Sequence, residues 1–344
     1  MATVYPLRIQ ERHKWEPIYY SDEANAADDV QAAILNGRLD QKLHYKSPDA
    51  TETWKKLIND QRYEQYDHCT EALAKFCDSG EWLKFVKNGI EGVVTLGAGS
   101  PSKDLQIIRV LRDQANGRRK IAHIVVDASP YMIEETRTAI NRAILSDNSI
   151  QQDVAIRYCV GDFLKFQDTP IRRKSGGNVA WFILGGTFGN VNETAFFKSI
   201  AGQAQKGDLL IIAADIRRDD DLRVVNRNIR KKYRSQSVKN FVGVGLRAAW
   251  HHLAIRSTLS SAIKNMKMAV VEGYENGHSD IPGSATLEVY VMHNNNKLYL
   301  ITSTRYVEQN LKNFAEGHEF FYISAAESDK NPNFKHLVFR YGKE

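Results

Sequence analysis

The chain has 344 residues, too many for a peptide-sized scaffold and more than one ordinary core accommodates, so an elaborated domain or two domains are expected. Hydrophobic residues at 42%, charged residues at 26%, 22 Gly and 8 Pro exclude a disordered, collagenous or repeat-like chain. A formal charge of +6 tolerates an anionic partner without requiring one.

The N-terminus, MATVYPLRIQERHKWEP, has no apolar h-region, and runs such as Leu209 to Ala214 are far too short for a membrane span. Cys69, Cys77 and Cys159 form no CxxC pair and no disulfide framework, which fits a reducing compartment. A soluble, unprocessed, cytoplasmic protein without membrane association is expected.

From about Asp22 to Asn88 apolar residues recur every three or four positions, as in Cys69 to Cys77, which predicts helices with both cysteines facing a core. After Gly89 the period changes. Apolar runs at Val93 to Leu96, Ile121 to Val126, Val154 to Val160, Val179 to Leu184 and Leu209 to Ala214 are mostly separated by helix-length segments. Continuous apolar runs fit parallel strands covered on both faces, so a doubly wound α/β sheet is predicted.

Between Arg217 and His278 the rhythm gives way to charged helical stretches and a loop, Glu275 to Gly283, read as an insertion. Its basic run, Arg227 to Arg234, reads as a solvated helix face; phosphate contact is the alternative, without an RNA-binding signature or zinc-finger spacing to accompany it. Ala285 to Met292 and Lys297 to Ser303 flank Asn294 to Asn296 as a hairpin. A helix from Val307 to Phe314 and strands at Phe320 to Ser324 and His336 to Tyr341 close the chain, and the strands are expected to rejoin the main sheet.

The first strand feeds Leu96-Gly97-Ala98-Gly99-Ser100-Pro101-Ser102-Lys103, a Gly-rich turn opening a helix, where backbone N–H groups can meet a ligand. Ser102 stands where a dinucleotide fingerprint wants its third glycine, and a lone GxG is also a common structural turn. Asp127 ends the second strand, where a carboxylate can accept from ribose hydroxyls, or cap the next helix. Asp162-Phe163 after the third strand offers a carboxylate and an aromatic face to adenine. The fourth strand runs into Gly185-Gly186-Thr187-Phe188-Gly189-Asn190, where Asn190 can accept from a substrate amine, cap the following helix or adopt a left-handed turn. The ten histidines, including His251-His252, show no metal-ligand spacing, so no metal is expected.

The set LGAGSPSK, VVDAS, VGDF and FILGGTFGN resembles the S-adenosylmethionine-dependent methyltransferases, specifically the histidine-specific family whose best-known member trimethylates the α-amine of histidine in ergothioneine biosynthesis. The similarity covers most of the chain and is strongest from about Gly92 to Asp215. It implies S-adenosylmethionine as cofactor, held by Gly97, Gly99, Lys103, Asp127, Asp162 and Phe163. It also implies that Asn190 grips the acceptor amine in the catalytic step, with Gly185 beside it. The family's LPEYYPTR segment aligns at best with Gln61 to His68, where Tyr66 keeps the position of a substrate-binding tyrosine, or is a packed helix residue. Aligned with TENSYKY, Leu300 to Tyr306 retains a serine at Ser303 but has Ile301 in place of the glutamate. An apolar side chain cannot hold an imidazole N–H, so histidine is not the expected substrate. Asn226-Arg227-Asn228 matches the letters of the family's FNRN segment but lies too close to the fifth strand to take its role.

These readings predict a Rossmann-like class I methyltransferase core, residues 71–215 and 305–344, with a second α+β substrate-binding lobe from residues 1–70 and 216–304. The expected reaction is N-methylation of a small-molecule amine derived from an amino acid, in secondary metabolism. The rivals are a methyltransferase acting on peptide, protein or RNA, and a cofactor-binding protein without catalysis.

Overall fold

The computed structural model describes residues 18–20, 26–61, 63–115, 121–147, 153–168, 171, 177–218, 221–233, 235–253 and 258–343. The N-terminal segment read for processing lies outside them, as do the side chains of Lys231, Lys232 and Arg234 in the basic run.

The N-terminal third supplies strand β1 (Ile18–Tyr20) and helices α1 (Ala26–Leu35), α2 (Pro48–Ile58), α3 (Gln65–Cys77) and α4 (Gly80–Lys87). Ser47 and Ser79 start α2 and α4 by accepting from Ala50 N and Trp82 N, satisfying donors that a helix start leaves free. The βαβ region follows as β2 (Ile90–Leu96), α5 (Pro101–Ala115), β3 (Ile121–Asp127), α6 (Pro130–Ser146), β4 (Val154–Gly161), β5 (Asn178–Ile183), α7 (Glu193–Ala201) and β6 (Leu209–Asp215). The insertion holds α8 (Leu222–Tyr233), α9 (Gln236–Ala249), α10 (Leu259–Lys264) and β7 (Lys267–Glu272). It is followed by β8 (Ala285–His293), β9 (Asn296–Arg305), α11 (Glu308–Glu316), β10 (Phe320–Glu327) and β11 (Phe334–Tyr341).

The main sheet has the order β1-β4-β3-β2-β5-β6-β11-β10, parallel except for β11 and β10. Its order reverses at β2, so the carboxyl ends of β2 and β5 flank a crevice, the place where open α/β sheets bind ligands. This is the expected Rossmann-like, doubly wound core. Alternate residues of each central strand enter different cores: Val93, Ile211 and Ala213 one, Val94, Leu96, Leu210 and Ile212 the other. Burial on both faces explains the unbroken apolar runs.

A third core joins Val30, Leu43 and Leu57 to Phe241 and Leu246 of α9 and to Leu287, Leu298 and Leu300 of the second sheet, β7-β8-β9. The α3 helix packs against β10 and β11, with Cys69 and Cys77 buried in a main-sheet core as their spacing predicts. It therefore runs through the lobe boundary expected between residues 70 and 71.

Two strands escape the sequence reading. The first, β1, has three residues, too few for a period, and β7 is an edge strand whose residues are all exposed or half-buried. The expected Asn294–Asn296 turn is a two-residue hairpin turn, with Asn294 and Asn295 at φ +48° and +64° and Asn296 already paired with His293. Among the described residues no helix is long and apolar enough to cross a membrane, and no three His, Cys, Asp or Glu side chains gather as metal ligands.

Candidate functional site

The switch-point crevice opens into a cavity of about 590 Å³, within the usual size range of small-molecule sites. One wall is made by the carboxyl ends of the main sheet. After β2 the chain turns through Gly97 (φ +82°) and Gly99 (φ +46°). A Cβ on Gly97 would lie 3.4 Å from Thr187 Oγ1 of the facing turn. Lys103 sits in the first turn of α5 and is buried; its Nζ lies 3.3 Å and 3.4 Å from the positions that Cβ atoms on Gly99 and Gly185 would take. Among the described residues no carboxylate forms an ion pair with it.

Asp127 ends β3 beside this turn. Its Oδ2 accepts from Ala98 N at 2.8 Å and its Oδ1 from Ser129 N at 2.7 Å. Burial pushes its carboxyl up to about 6, opposed by those two backbone donors. The helix-capping alternative is met by a different residue: Ser129 Oγ accepts from Met132 N at the start of α6. Beyond β4, Asp162 accepts from Leu164 N at 3.0 Å, and the Phe163 ring packs edge-on against Phe196 at 6.3 Å. Gly97, Gly99, Lys103, Asp127, Asp162 and Phe163 all line the one cavity.

The turn after β5 forms the floor. Gly185 (φ +73°) donates its N–H to Cys69 Sγ at 3.3 Å, which ties α3 beneath the site. The single 3-10 turn Phe188–Asn190 follows. A Cβ on Gly189 would lie 2.7 Å from Thr304 O, so only glycine lets this turn press against β9. Asn190 lines the cavity, and its buried Oδ1 has no hydrogen-bond partner. Asn192, two residues on, caps α7 by accepting from Ala195 N, and Asn190 is not in a left-handed conformation. The two structural readings of Asn190 are therefore absent, and the residue lines the cavity with its buried amide oxygen unpaired.

The opposite wall comes from the third core. Tyr45, Trp54, Tyr63 and Phe241 line the cavity as an aromatic cluster, with centroids 5.7 Å apart for Tyr45 and Trp54 and 5.5 Å for Trp54 and Phe241. Trp54 Nε1 donates to Gly99 O at 2.5 Å, Ser129 Oγ donates to Tyr45 O at 2.6 Å, and Lys55 pairs with Glu135 at 3.1 Å. These bonds roof the cradle with the N-terminal segment. Tyr233, Leu300, Ile301, Thr302, Arg38 and His278 complete this wall.

Two expected substrate residues lie elsewhere. The hydroxyl of Tyr66, on α3, is bonded to Ser100 Oγ at 2.5 Å and also to Ser102, outside the cavity lining. Tyr63 lines it instead; it precedes α3, in the same aligned segment as Tyr66, and burial raises its hydroxyl well above the usual tyrosine range. Ser303 stands behind the lining, accepting from Tyr233 OH at 3.1 Å. Gly185 and Asn190 lie in the lining itself, and Ile301, aligned with the glutamate of the motif, does as well.

No curated protein matches the chain. Among solved structures it is similar to magnesium protoporphyrin IX methyltransferase from Synechocystis PCC 6803 with bound S-adenosylhomocysteine, at 11% identity over 86% of this chain and 95% of that one, TM-score 0.44. It is also similar to the CcbJ methyltransferase from Streptomyces caelestis, at 11% identity over 83% and 98% of the two chains, TM-score 0.40. The family described as "Histidine-specific methyltransferase, SAM-dependent" matches residues 28–340, spanning both sheets and both walls of the cavity. With that match over nearly the whole chain, the protein belongs to the histidine-specific, S-adenosylmethionine-dependent methyltransferase family.

Proposed function

We propose that this methyltransferase N-methylates an amino acid, or a small amine derived from one, whose side chain is largely apolar and is not imidazole. The observation that carries this reading is Asn190, whose amide oxygen has no partner and which lines the same cavity as Lys103, Asp127 and Asp162. An amide oxygen in that position accepts an amine N–H and so fixes the direction of the nitrogen lone pair.

The residues of the first wall fit the cofactor. Lys103 suits its carboxylate, Asp127 its ribose hydroxyls, and Asp162 with Phe163 its adenine. S-adenosylmethionine supplies an electrophilic methyl group when bound. This chain aligns the nitrogen through Asn190, encloses it with Trp54 and Phe241, and accepts the amine in its neutral form. Tyr63 stays protonated, because burial opposes its ionisation, and so acts as a hydrogen-bonding group and not as a base. Alignment alone can contribute about 7–11 kcal/mol to such a displacement.

Ile301 and the aromatic cluster support an apolar acceptor side chain. The resemblance would put a carboxylate at position 301 to hold an imidazole, and here that position offers only methyl and methylene groups to the cavity. The test is calorimetric titration with S-adenosylhomocysteine, followed by histidine, arginine and tryptophan. S-adenosylhomocysteine binding followed by tryptophan and not histidine is expected. Asn190→Ala should remove amino-acid binding and leave S-adenosylhomocysteine affinity within about twofold; tight histidine binding by the unaltered protein would overturn the substrate reading.

A further inference from the structure

We propose that Arg38 anchors the carboxylate of the acceptor, so that the substrate is an intact amino acid and not its decarboxylated amine; this rests on the amino-acid reading above. Methylating an amino acid brings two carboxylates into one cavity, the methionyl carboxylate of the cofactor and the acceptor's own. Lys42, Lys103, Lys165 and Arg38 are the Lys and Arg residues in its described lining. Lys42 is paired with Asp40 at 3.1 Å. Lys103 stands between the two glycine turns, and Lys165 follows the Asp162-Phe163 corner. Arg38 is the cation of the opposite wall.

Its position is fixed by the backbone. Gly37 (φ +67°) ends the turn after α1, Leu39 N donates to Tyr299 O at 2.8 Å, and Tyr299 N returns a bond to Gly37 O at 2.8 Å. The Arg38 segment is thereby stitched to β9. On the side chain, Nη2 donates to Thr302 Oγ1 at 3.1 Å and to His278 Nδ1 at 2.9 Å. Both acceptors are neutral. His278 gives its other ring N–H to Glu288 Oε1 at 2.7 Å, and Lys297 neutralises Glu288 through Oε2 at 2.7 Å. Burial lowers the pKa of His278, which keeps the lone pair of Nδ1 available to Arg38.

The guanidinium is thus oriented without a direct ion pair: among the described residues no carboxylate pairs with it, and Glu193 and Glu288 act on it only from a distance. Its Nε and Nη1 donors remain, and because they lie on separate edges of the guanidinium each can give a carboxylate oxygen one charge-assisted bond. The same strand places it relative to the reacting amine. Thr302 lies two residues along β9 from Thr304, whose carbonyl presses on Gly189 beside Asn190, a separation of roughly 7 Å at the rise of a strand. An amine and its neighbouring carboxylate, each with one hydrogen bond, bridge such a span.

The experiment titrates the protein, saturated with S-adenosylhomocysteine, with matched pairs: tryptophan and tryptamine, tyrosine and tyramine, histidine and histamine. The unaltered protein should bind the acid member of at least one pair more tightly than the amine. Arg38→Gln should weaken that acid about 10- to 100-fold, leave the amine unchanged, and leave S-adenosylhomocysteine affinity and the thermal midpoint as they were. Arg38→Lys should fall between, since it keeps the charge but loses the guanidinium bonds to Thr302 and His278 that orient it. Equal binding of acid and amine, equal losses of both in Arg38→Gln, or no amino acid binding to the S-adenosylhomocysteine complex would each overturn the proposal while leaving the cofactor reading intact. Failure of S-adenosylhomocysteine itself to bind would strike the cofactor reading instead.

Discussion

The two walls of the cavity are built in different ways. The main-sheet wall is assembled from strand ends that each carry their own polar group: Gly97 and Gly99 after β2, Asp127 at the end of β3, Asp162 after β4, Asn190 after β5. The facing wall draws Arg38, Tyr45, Trp54 and Tyr63 from the N-terminal third, Tyr233 and Phe241 from the insertion, and Ile301 from β9. The first is a local code, turn chemistry at the end of a strand. The second exists only once three distant segments share a core.

The comparison breaks most severely where the walls meet. Gly189→Ala would set a Cβ 2.7 Å from the Thr304 carbonyl, with backbone on both sides and no flexible side chain to yield. Overpacking of this kind costs about 1–3 kcal/mol, and the displaced Asn190 should lower kcat by roughly 100-fold. A thermal melt and a methyl-transfer assay would show both; an unchanged kcat would mean that the contact does not position Asn190.

Asp127→Ala tests the first wall alone. Losing a charged acceptor should weaken S-adenosylhomocysteine binding by about 1.5–3 kcal/mol and leave the apolar wall intact. Unchanged affinity by titration would remove Asp127 from the cofactor cradle.

The same carboxyl gives a pH dependence of opposite sign in two measurements. Its folded pKa is raised to about 6, so the stability it contributes to the ligand-free protein is greatest at low pH and is lost as pH rises through about 6. Cofactor binding, which needs the ionised acceptor, should instead weaken as pH falls through that value. Asp127→Asn should flatten both curves near pH 6, and a dependence that survives in the variant belongs to another group.

The smallest effect is expected at the roof. Trp54→Phe keeps a ring among Tyr45 and Phe241 but removes the 2.5 Å bond to Gly99 O. A loss of about 0.5–1.5 kcal/mol in S-adenosylhomocysteine affinity, with little change in amino-acid affinity, would separate tethering of the glycine turn from packing against the acceptor.

The same contrast explains what was legible in the sequence. The five central strands, the terminal strands and the glycine turns follow from local pattern, because a strand buried on both faces must be continuously apolar and a turn at positive φ favours glycine. Asp127, Asp162 and Asn190 could be picked out because each lies at a predicted strand end. Trp54, Phe241 and Arg38 carry no such address. Their side chains suit an ordinary helix or loop, and only the packing of residues 38–63 and of α9 against β9 turns them toward one space. Tyr63 and Tyr66 show the limit most narrowly. They are three residues apart in one aligned segment, yet the chain enters α3 between them, so one lines the cavity and the other reaches back to Ser100 and Ser102.

The contact of Gly189 with Thr304 has an evolutionary consequence. It is made by backbone on the β9 side and by a hydrogen in place of a side chain on the other, so it is indifferent to which residues β9 carries. Mutation can therefore rewrite positions such as Ile301 in the cavity lining while Asn190 keeps its place there. On the proposed reading, selectivity and reaction geometry can drift independently in this fold.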